Sequence, residues 1–383
     1  MRVLVATWAP GGNLPPLLAA GRVLARRGHE VTVLASAATA DAAERIGFPV
    51  ARYRRSPDPD TRVAFEAQAE SVMATMAGTD IALDATEALE DLRPDLAIVD
   101  CMLPAAIAAA RARGTPVACL VHFLYGLART LMLRTGDGFT TDLRSLAATH
   151  RTLGLPPVRD GLSAWEAPEL LLVTAPRWLD VEAGAPDHVV HAGPLGVAAD
   201  PRQSPAPSRA VLLTFGTTLM EGQAELIDRV CEAVAGLGLE AVLTLGPAVE
   251  PGVLHVPDGV QALAFADHDE VMRRCAAVVS HGGLGTVLRA LAHGVPQLLL
   301  PLGRDQAFNA GRVEALDAGI QLARDASPPQ IRDTLQMLLS EPRFAVAAIS
   351  AASRIAAEAP DETARKALER TVTGRTRIDP RPG

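Results

Sequence analysis

The chain is 383 residues long, and at roughly 150 residues per domain that length implies two or three domains, with two as the working count. Hydrophobic residues make up 49% and charged residues 21%, enough apolar material for large cores and too little charge for a disordered chain. Acidic side chains (44) outnumber Lys plus Arg (36), and the net charge of −8 offers no attractive field to nucleic acid or to an anionic membrane surface, so neither is an expected partner. Cys101, Cys119, Cys231 and Cys275 form no CxxC pair, so neither a zinc site nor a disulfide framework is expected, and a reducing cytoplasm is the expected location. No apolar run reaches the roughly 18 residues of a membrane helix, since the stretch 102–110 runs into Arg111 and Arg113. The opening MRVLVATWAP leads into GGNLPP and reads as a buried strand entering a loop rather than as a secretion signal.

In chain order, residues 2–7 are a short β-branched run, 10–13 a Gly-rich turn, 17–27 an apolar-periodic helix closed by Gly28, and 31–35 a second strand. This is a βαβ unit, and strands apolar throughout imply a parallel sheet covered by helices on both faces. Residues 95–100 (DLAIVD) and 116–121 (PVACLV) read as two further buried strands around an Ala-rich crossover helix at 103–113, and 170–174 closes this half. Residues 198–209, AADPRQSPAPSR, carry three prolines and no periodicity, which predicts an exposed linker. The pattern then restarts: strand 210–215, helix 221–235, strands 240–245 and 277–280, a helix after Gly285, and strand 297–300. Residues 328–373 read as helical throughout and amphipathic, able to pack on either half. The expected architecture is α/β: two tandem doubly wound Rossmann-like domains, 1–197 and 210–383, with their strand-end loops facing one cleft. Monomer and homodimer both stay open.

The densest signal is VVSHGGLG at 278–285, followed by TVLRALAHGVPQLLLPLGRDQAFNAGRVEAL. A strand delivers His281 to a glycine turn, and Thr286 opens a helix whose unpaired amides and dipole suit a phosphate group. Gly282, Gly283 and Gly285 let backbone and anion approach closely. Asp305, Gln306 and Asn309 then follow a strand at 297–300, where a carboxylate and amides can bind sugar hydroxyls.

This stretch closely resembles the donor-binding signature of GT-B nucleotide-sugar glycosyltransferases, particularly the bacterial enzymes that decorate macrolide, enediyne and aromatic polyketide products. The resemblance extends over essentially the whole chain: the N-terminal Gly-rich loop, the central linker, the TFGTT turn at 214–218 and the HGG…PLGRDQ…N segment. It implies inverting transfer of a deoxysugar from a nucleoside diphosphate sugar, thymidine diphosphate by likeness, to an apolar small-molecule acceptor. The first domain would bind the acceptor and the second the donor, with the nucleotide sugar as co-substrate, no further cofactor and no metal. By resemblance His281 contacts the leaving diphosphate, Gly283, Gly285 and Thr286 cradle it, and Asp305 and Gln306 hold the sugar. Thr217 and Thr218 are similar to a hydroxyl-bearing turn that touches donor phosphate or nucleoside, and Phe265 falls where the family puts an aromatic beside the nucleobase. Plainer uses remain for each: Phe265 as core, the threonines as turn formers or helix caps, and Asp305 as a solvated loop carboxylate.

The N-terminal loop departs from the family. Many members carry a Gly-His pair whose imidazole is the catalytic base, whereas this chain has Gly12-Asn13 followed by Leu14, Pro15 and Pro16. An amide takes no proton near neutrality, so Asn13 can position but cannot be the base. Two candidates lie at neighbouring strand ends, Asp100 and His122, and each has a plain reading as well, a helix cap for Asp100 and a buried structural histidine for His122. Met73, Met76, Phe123, Tyr125, Leu131, Met132 and Leu133 form apolar clusters that would suit a large apolar acceptor or serve simply as core. Rival readings are a GT-B sugar-nucleotide epimerase, a lipid-linked sugar transferase, and a non-catalytic donor-binding partner protein that kept the pocket and lost the base.

Overall fold

The computed structural model of the chain describes residues 1–58, 60, 63–135, 142–181, 184–197, 210–246 and 251–374. The expected linker at 198–209 lies outside the described residues. Two compact units form, one of Met1–Asp60, Gln68–Gly196 and Pro360–Gly383, the other of Thr61–Ala67 and Val197–Ala359.

The N-terminal part runs β1 (Arg2–Ala6), α1 (Leu14–Ala25), β2 (Glu30–Ala35), α2 (Ala37–Arg45), β3 (Val50–Arg52), α3 (Phe65–Met76), α4 (Thr79–Leu92), β4 (Leu96–Asp100), α5 (Pro104–Ala112), β5 (Val117–Val121), α6 (Tyr125–Thr135), α7 (Leu143–Thr152), α8 (Gly161–Trp165), β6 (Leu170–Val173) and β7 (Val189–His191). Its strands pair in parallel in the order β3-β2-β1-β4-β5-β6-β7. β4, β5 and β6 are buried at every residue, which is why LAIVD, VACLV and LLLV are almost wholly apolar: a sheet covered on both faces leaves no wet side. α1 begins three residues before the expected start at 17. Pro15 and Pro16 sit in its first turn, where a helix has no internal partner for the missing N–H.

The second part runs β8 (Val211–Thr214), α9 (Gln223–Ala235), β9 (Ala241–Thr244), β10 (Val260–Leu263), α10 (His268–Met272), β11 (Ala277–Ser280), α11 (Leu284–Ala292), β12 (Gln297–Leu299), α12 (Gln306–Glu314), β13 (Gly319–Gln321), α13 (Pro328–Ser340) and α14 (Pro342–Glu358). These strands are also parallel, ordered β10-β9-β8-β11-β12-β13. Each sheet therefore reverses its winding once, between β1 and β4 and between β8 and β11. In such sheets ligands bind beyond the carboxyl ends of the strands at that reversal.

The stretch expected to be helical throughout is broken into α13, α14 and α15 (Pro360–Thr373), because Pro342 and Pro360 disfavour the α region for Glu341 and Ala359 before them. α15 belongs to the first unit. Ala364, Ala367 and Leu368 are buried in one core with Val3, Leu17 and Leu24, Glu369 lies 3.4 Å from His29, and Asp361 accepts the Gly196 N–H at 3.0 Å. Leu368 has no solvent exposure, so Leu368→Ala is expected to destabilise that unit by about 2 to 5 kcal/mol, read as a lower urea midpoint. An unchanged midpoint would show that α15 does not belong to this core.

Candidate functional site

At the reversal of the second sheet, β8 leads into Phe215 and Gly216 while β11 leads into His281. The buried imidazole of His281 lies against two glycine backbones. A Cβ on Gly216 would stand 2.9 Å from Cε1 and Nε2, and a Cβ on Gly283 only 2.6 Å from Nε2. No side chain fits at either place without moving the ring. Gly282, between them, has φ +83°, a left-handed backbone that favours glycine. Burial lowers the pKa of His281 to about 4; the Thr214 backbone and the Asp305 charge reduce the shift, and the Arg304 charge adds to it. The ring is therefore neutral at pH 7. Its Nδ1 is buried, and the Thr214 backbone near it does not meet it in hydrogen-bond geometry.

Gly283 is the N-cap of α11 and supplies no side-chain cap. The helix starts at Leu284, two residues before the expected opening at Thr286, and the Thr286 N–H already bonds the Gly283 carbonyl at 3.0 Å. Only the Thr286 hydroxyl is left for a ligand. At this helix end, which carries about half a positive charge, the N–H groups of Gly283, Leu284 and Gly285 have no acceptor among the described residues. Gly285 is exposed, with nothing within 4 Å of its Cβ position, so this end is open to an approaching anion.

The loop after β12 is fastened to the glycine turn. The Leu300 N–H bonds the Ser280 carbonyl at 2.8 Å, and Asn309 Nδ2 donates to both the Gly282 carbonyl (3.0 Å) and Asp305 Oδ2 (2.9 Å). Asn309, expected among the sugar-binding groups, is buried and acts as an internal brace instead. Gln306 is buried too, and its Oε1 accepts from the N–H groups of Leu302 (2.7 Å) and Gly303 (3.1 Å), leaving its amide N–H2 as the part able to reach a ligand. Asp305 is half-buried at the N-cap position of α12 without making a capping bond.

The same device recurs after β8. Buried Gln223 accepts from the Met220 N–H and donates to the Phe215 carbonyl, each at 3.0 Å, closing the loop that carries Thr217 and Thr218. Sequence reasoning missed Gln223; its signal was a glutamine at the first position of an otherwise apolar-faced helix, directly after a strand-end turn. Thr217 is exposed and Thr218 half-buried, and neither caps α9, whose N-cap is Gly222. Phe265, just past β10, is 85% exposed and so is no core residue.

In the first unit, β4 and β5 pair in register, and β1 lies on the other side of β4, so the three candidate residues of the sequence meet there. Asp100, at the end of β4, accepts from Asn13 Nδ2 at 2.6 Å on Oδ2, and from the Met102 N–H at 2.9 Å on Oδ1, where His122 Nε2 also lies at 3.1 Å. Burial raises the pKa of Asp100, but the His122 charge and these bonds outweigh it and hold the carboxyl below its ordinary value. Burial likewise opposes a charge on His122, yet its surroundings leave the imidazole well above 6.5. Burial pushes the neighbouring Cys101 thiol up to about 12, so Asp100, rather than a thiolate, is the anion that sustains the imidazolium. The α5 helix starts at Pro104 with Leu103 as its N-cap, so Asp100 is no helix cap.

Asp100, Cys101 and His122 bring an oxygen, a sulfur and a nitrogen within 4.8 Å of one another, ligand types that can hold a metal ion. With both carboxylate oxygens already accepting hydrogen bonds and the thiol protonated, the trio stands as a hydrogen-bonded proton-carrying cluster.

Most of the apolar cluster expected to meet an acceptor is core. Met76, Phe123, Tyr125 and Met132 are buried, the Tyr125 hydroxyl donates to Glu166, and the Phe123 and Tyr125 rings stack on Trp165 at 5.8 and 5.2 Å. Met73 and Leu131 are half-buried, and Leu133 is 59% exposed. Among the described residues no helix is long and apolar enough to cross a membrane.

Residues 228–370 match the family described as "Erythromycin biosynthesis protein CIII-like, C-terminal domain". The chain is 30% identical over 349 residues to an L-demethylnoviosyl transferase of Streptomyces niveus, an alignment covering 85% of this chain and 86% of that protein. The chain belongs to the natural-product glycosyltransferases. It is a nucleotide-sugar glycosyltransferase with two Rossmann-like sheets of the GT-B type. A TDP-daunosamine transferase, DnrS, of Streptomyces peucetius is 28% identical over 418 residues, covering 94% of this chain and 93% of that one. The glycosyltransferase of kitacinnamycin superposes with a TM-score of 0.79 at 25% identity, covering 97% of this chain and 98% of that chain.

The His281 pocket makes a test that needs no substrate. The unfolded ring takes its proton near 6.5 and the folded ring near 4, so between these values the unfolded state binds more protons and acid favours unfolding. His281 is expected to titrate at about pH 4 by NMR of the imidazole, and acidification through this window to remove up to about 3 kcal/mol of stability. Gly283→Ala should displace the ring and return its titration toward 6.5. An unshifted titration in that variant would contradict the packing described.

Proposed function

We propose that this glycosyltransferase moves a deoxysugar, with inversion, from a thymidine diphosphate sugar to a hydroxyl group of an apolar natural product, using no metal ion at the diphosphate. The observation that carries the reading is the donor end of the second sheet: the unpaired Leu284 and Gly285 amides, the neutral His281 and the braced Asp305–Gln306 pair, all at one strand reversal. The name of the TDP-daunosamine transferase relative supports thymidine diphosphate as the carrier. The exposed Phe265 is free to stack on the base.

In the proposed step the acceptor oxygen attacks the anomeric carbon, the bond from that carbon to the diphosphate oxygen breaks, and the acceptor proton passes to His122. Negative charge grows on the departing diphosphate, where the α11 amides, the His281 N–H and the threonine hydroxyls meet it without reorganising. Asp305 and the Gln306 amide hold the sugar hydroxyls. Between the two candidate bases His122 is favoured: its side chain is 14% exposed against 2% for Asp100, and both Asp100 oxygens already accept hydrogen bonds. Asp100 then orients the imidazole and stabilises its protonated form, and Asn13 holds Asp100. Leu131, Leu133 and Met73 remain the side chains available to an apolar acceptor.

Thermal shift with nucleoside diphosphates, followed by NMR of the product's anomeric configuration, tests the reading. Stabilisation by thymidine diphosphate and an inverted product are expected, and a retained configuration would exclude single displacement.

His122→Ala is expected to lower turnover by roughly 10² to 10⁴ while donor binding persists, and Asn13→Ala to cost less. Because the His122 pKa is raised, the free base accumulates only at higher pH, so kcat/KM should climb along a limb lying above 6.5. Asp100→Asn removes the anion and should move that limb downward. A limb that ignores both substitutions would reject the histidine as base.

A further inference from the structure

We propose that Arg304 is the cation that meets the donor diphosphate, a role that rests on the donor-binding reading above. Among the described residues, four other than glycine have positive φ: Arg93, Arg304, Asp317 and Ala359. Arg93 and Ala359 are the C-caps of α4 and α14, and Asp317 follows the end of α12, bonding back to the Glu314 carbonyl. A left-handed residue is an ordinary way to end a helix. Arg304 ends none. It stands at φ +59° between β12 and α12, immediately before Asp305, so its conformation has no such local cause. Strain of this kind persists where the surroundings impose it, and it gathers at ligand sites.

The surroundings here are the glycine turn. Gln306 fixes the loop through the N–H groups of Leu302 and Gly303, its own carbonyl lies 3.0 Å from the Cβ position of Gly282, and Asn309 ties Asp305 to the Gly282 carbonyl. Arg304 is the exposed residue between buried Leu302 and buried Gln306. None of the other groups named here carries a full positive charge: His281 is neutral, the α11 amides carry only partial charge, and Asp305 adds a negative charge beside an arriving diphosphate. A guanidinium fork matches phosphate oxygens in pairs. Its field already reaches His281, whose pKa it helps to lower.

The test is calorimetry of thymidine diphosphate on the full chain as wild type, Arg304→Gly and Arg304→Lys, at low and high salt, with Tm recorded for each. Glycine accepts the left-handed backbone, so Arg304→Gly should keep or raise Tm. Its diphosphate affinity should fall about ten- to a hundredfold, and most of the salt dependence of binding should go with it. Arg304→Lys should recover part of both. Wild-type affinity in Arg304→Gly, or an affinity loss accompanied by a lower Tm and unchanged salt dependence, would overturn the proposal. A wild-type chain that binds no nucleoside diphosphate would instead overturn the donor-binding reading itself.

Discussion

The second unit is organised around a single steric constraint, the packing of the His281 imidazole against the backbones of Gly216 and Gly283. Those glycines belong to different loops, one after β8 and one after β11, and the ring can occupy the space only if both strands end at the same level. Parallel pairing in register ensures that, with Thr214 opposite Ser280. The neutrality of the ring follows from the burial that this packing imposes. Two buried glutamines, Gln223 and Gln306, hold the loops at the required height by accepting from their backbone N–H groups. An unpaired buried amide is costly, so these braces leave the loops little freedom to reshape.

The N-terminal half is organised around a charge instead. Asp100 is almost wholly buried, and an isolated carboxylate there would be strongly disfavoured. Asn13, His122 and the Met102 N–H compensate it, and the two side chains come from the loops after the strands flanking β4. The absence of an imidazole at position 13 does not leave the carboxylate without one. His122 reaches it from the end of β5, and the anion keeps that ring basic.

The long buried strands and the glycine-turn motif were legible because they carry strong, local signals: continuous apolar runs such as LAIVD and VACLV, and a glycine turn with His281 and Asp305–Gln306 at fixed spacing. Short strands without an apolar run were not. β3, β7 and β13 have three residues each and β10 is half wet, so none shows an apolar run, and their pairing depends on a neighbouring strand already in place. Asn309 illustrates a subtler limit. Its type and position suggested a ligand contact, but one helical turn after Asp305 its amide faces the Gly282 carbonyl and the carboxylate rather than the open side.

The sequence by itself determined the doubly wound α/β class, the place of the glycine-rich loops at strand ends, and the candidates Asn13, Asp100 and His122 at neighbouring strand ends, because each depends on residue order and on periodicity along one chain. Tertiary structure alone decided which partner each surface meets. The amphipathic pattern of α15 states that one face is buried but not against what, and only the folded chain places Leu368 in one core with Leu17 and Leu24 of α1. Likewise the protonation states of His122 and His281 diverge from one intrinsic chemistry because burial acts on both while a carboxylate 3.1 Å away acts on His122 only, and through-space distance is not written in residue order.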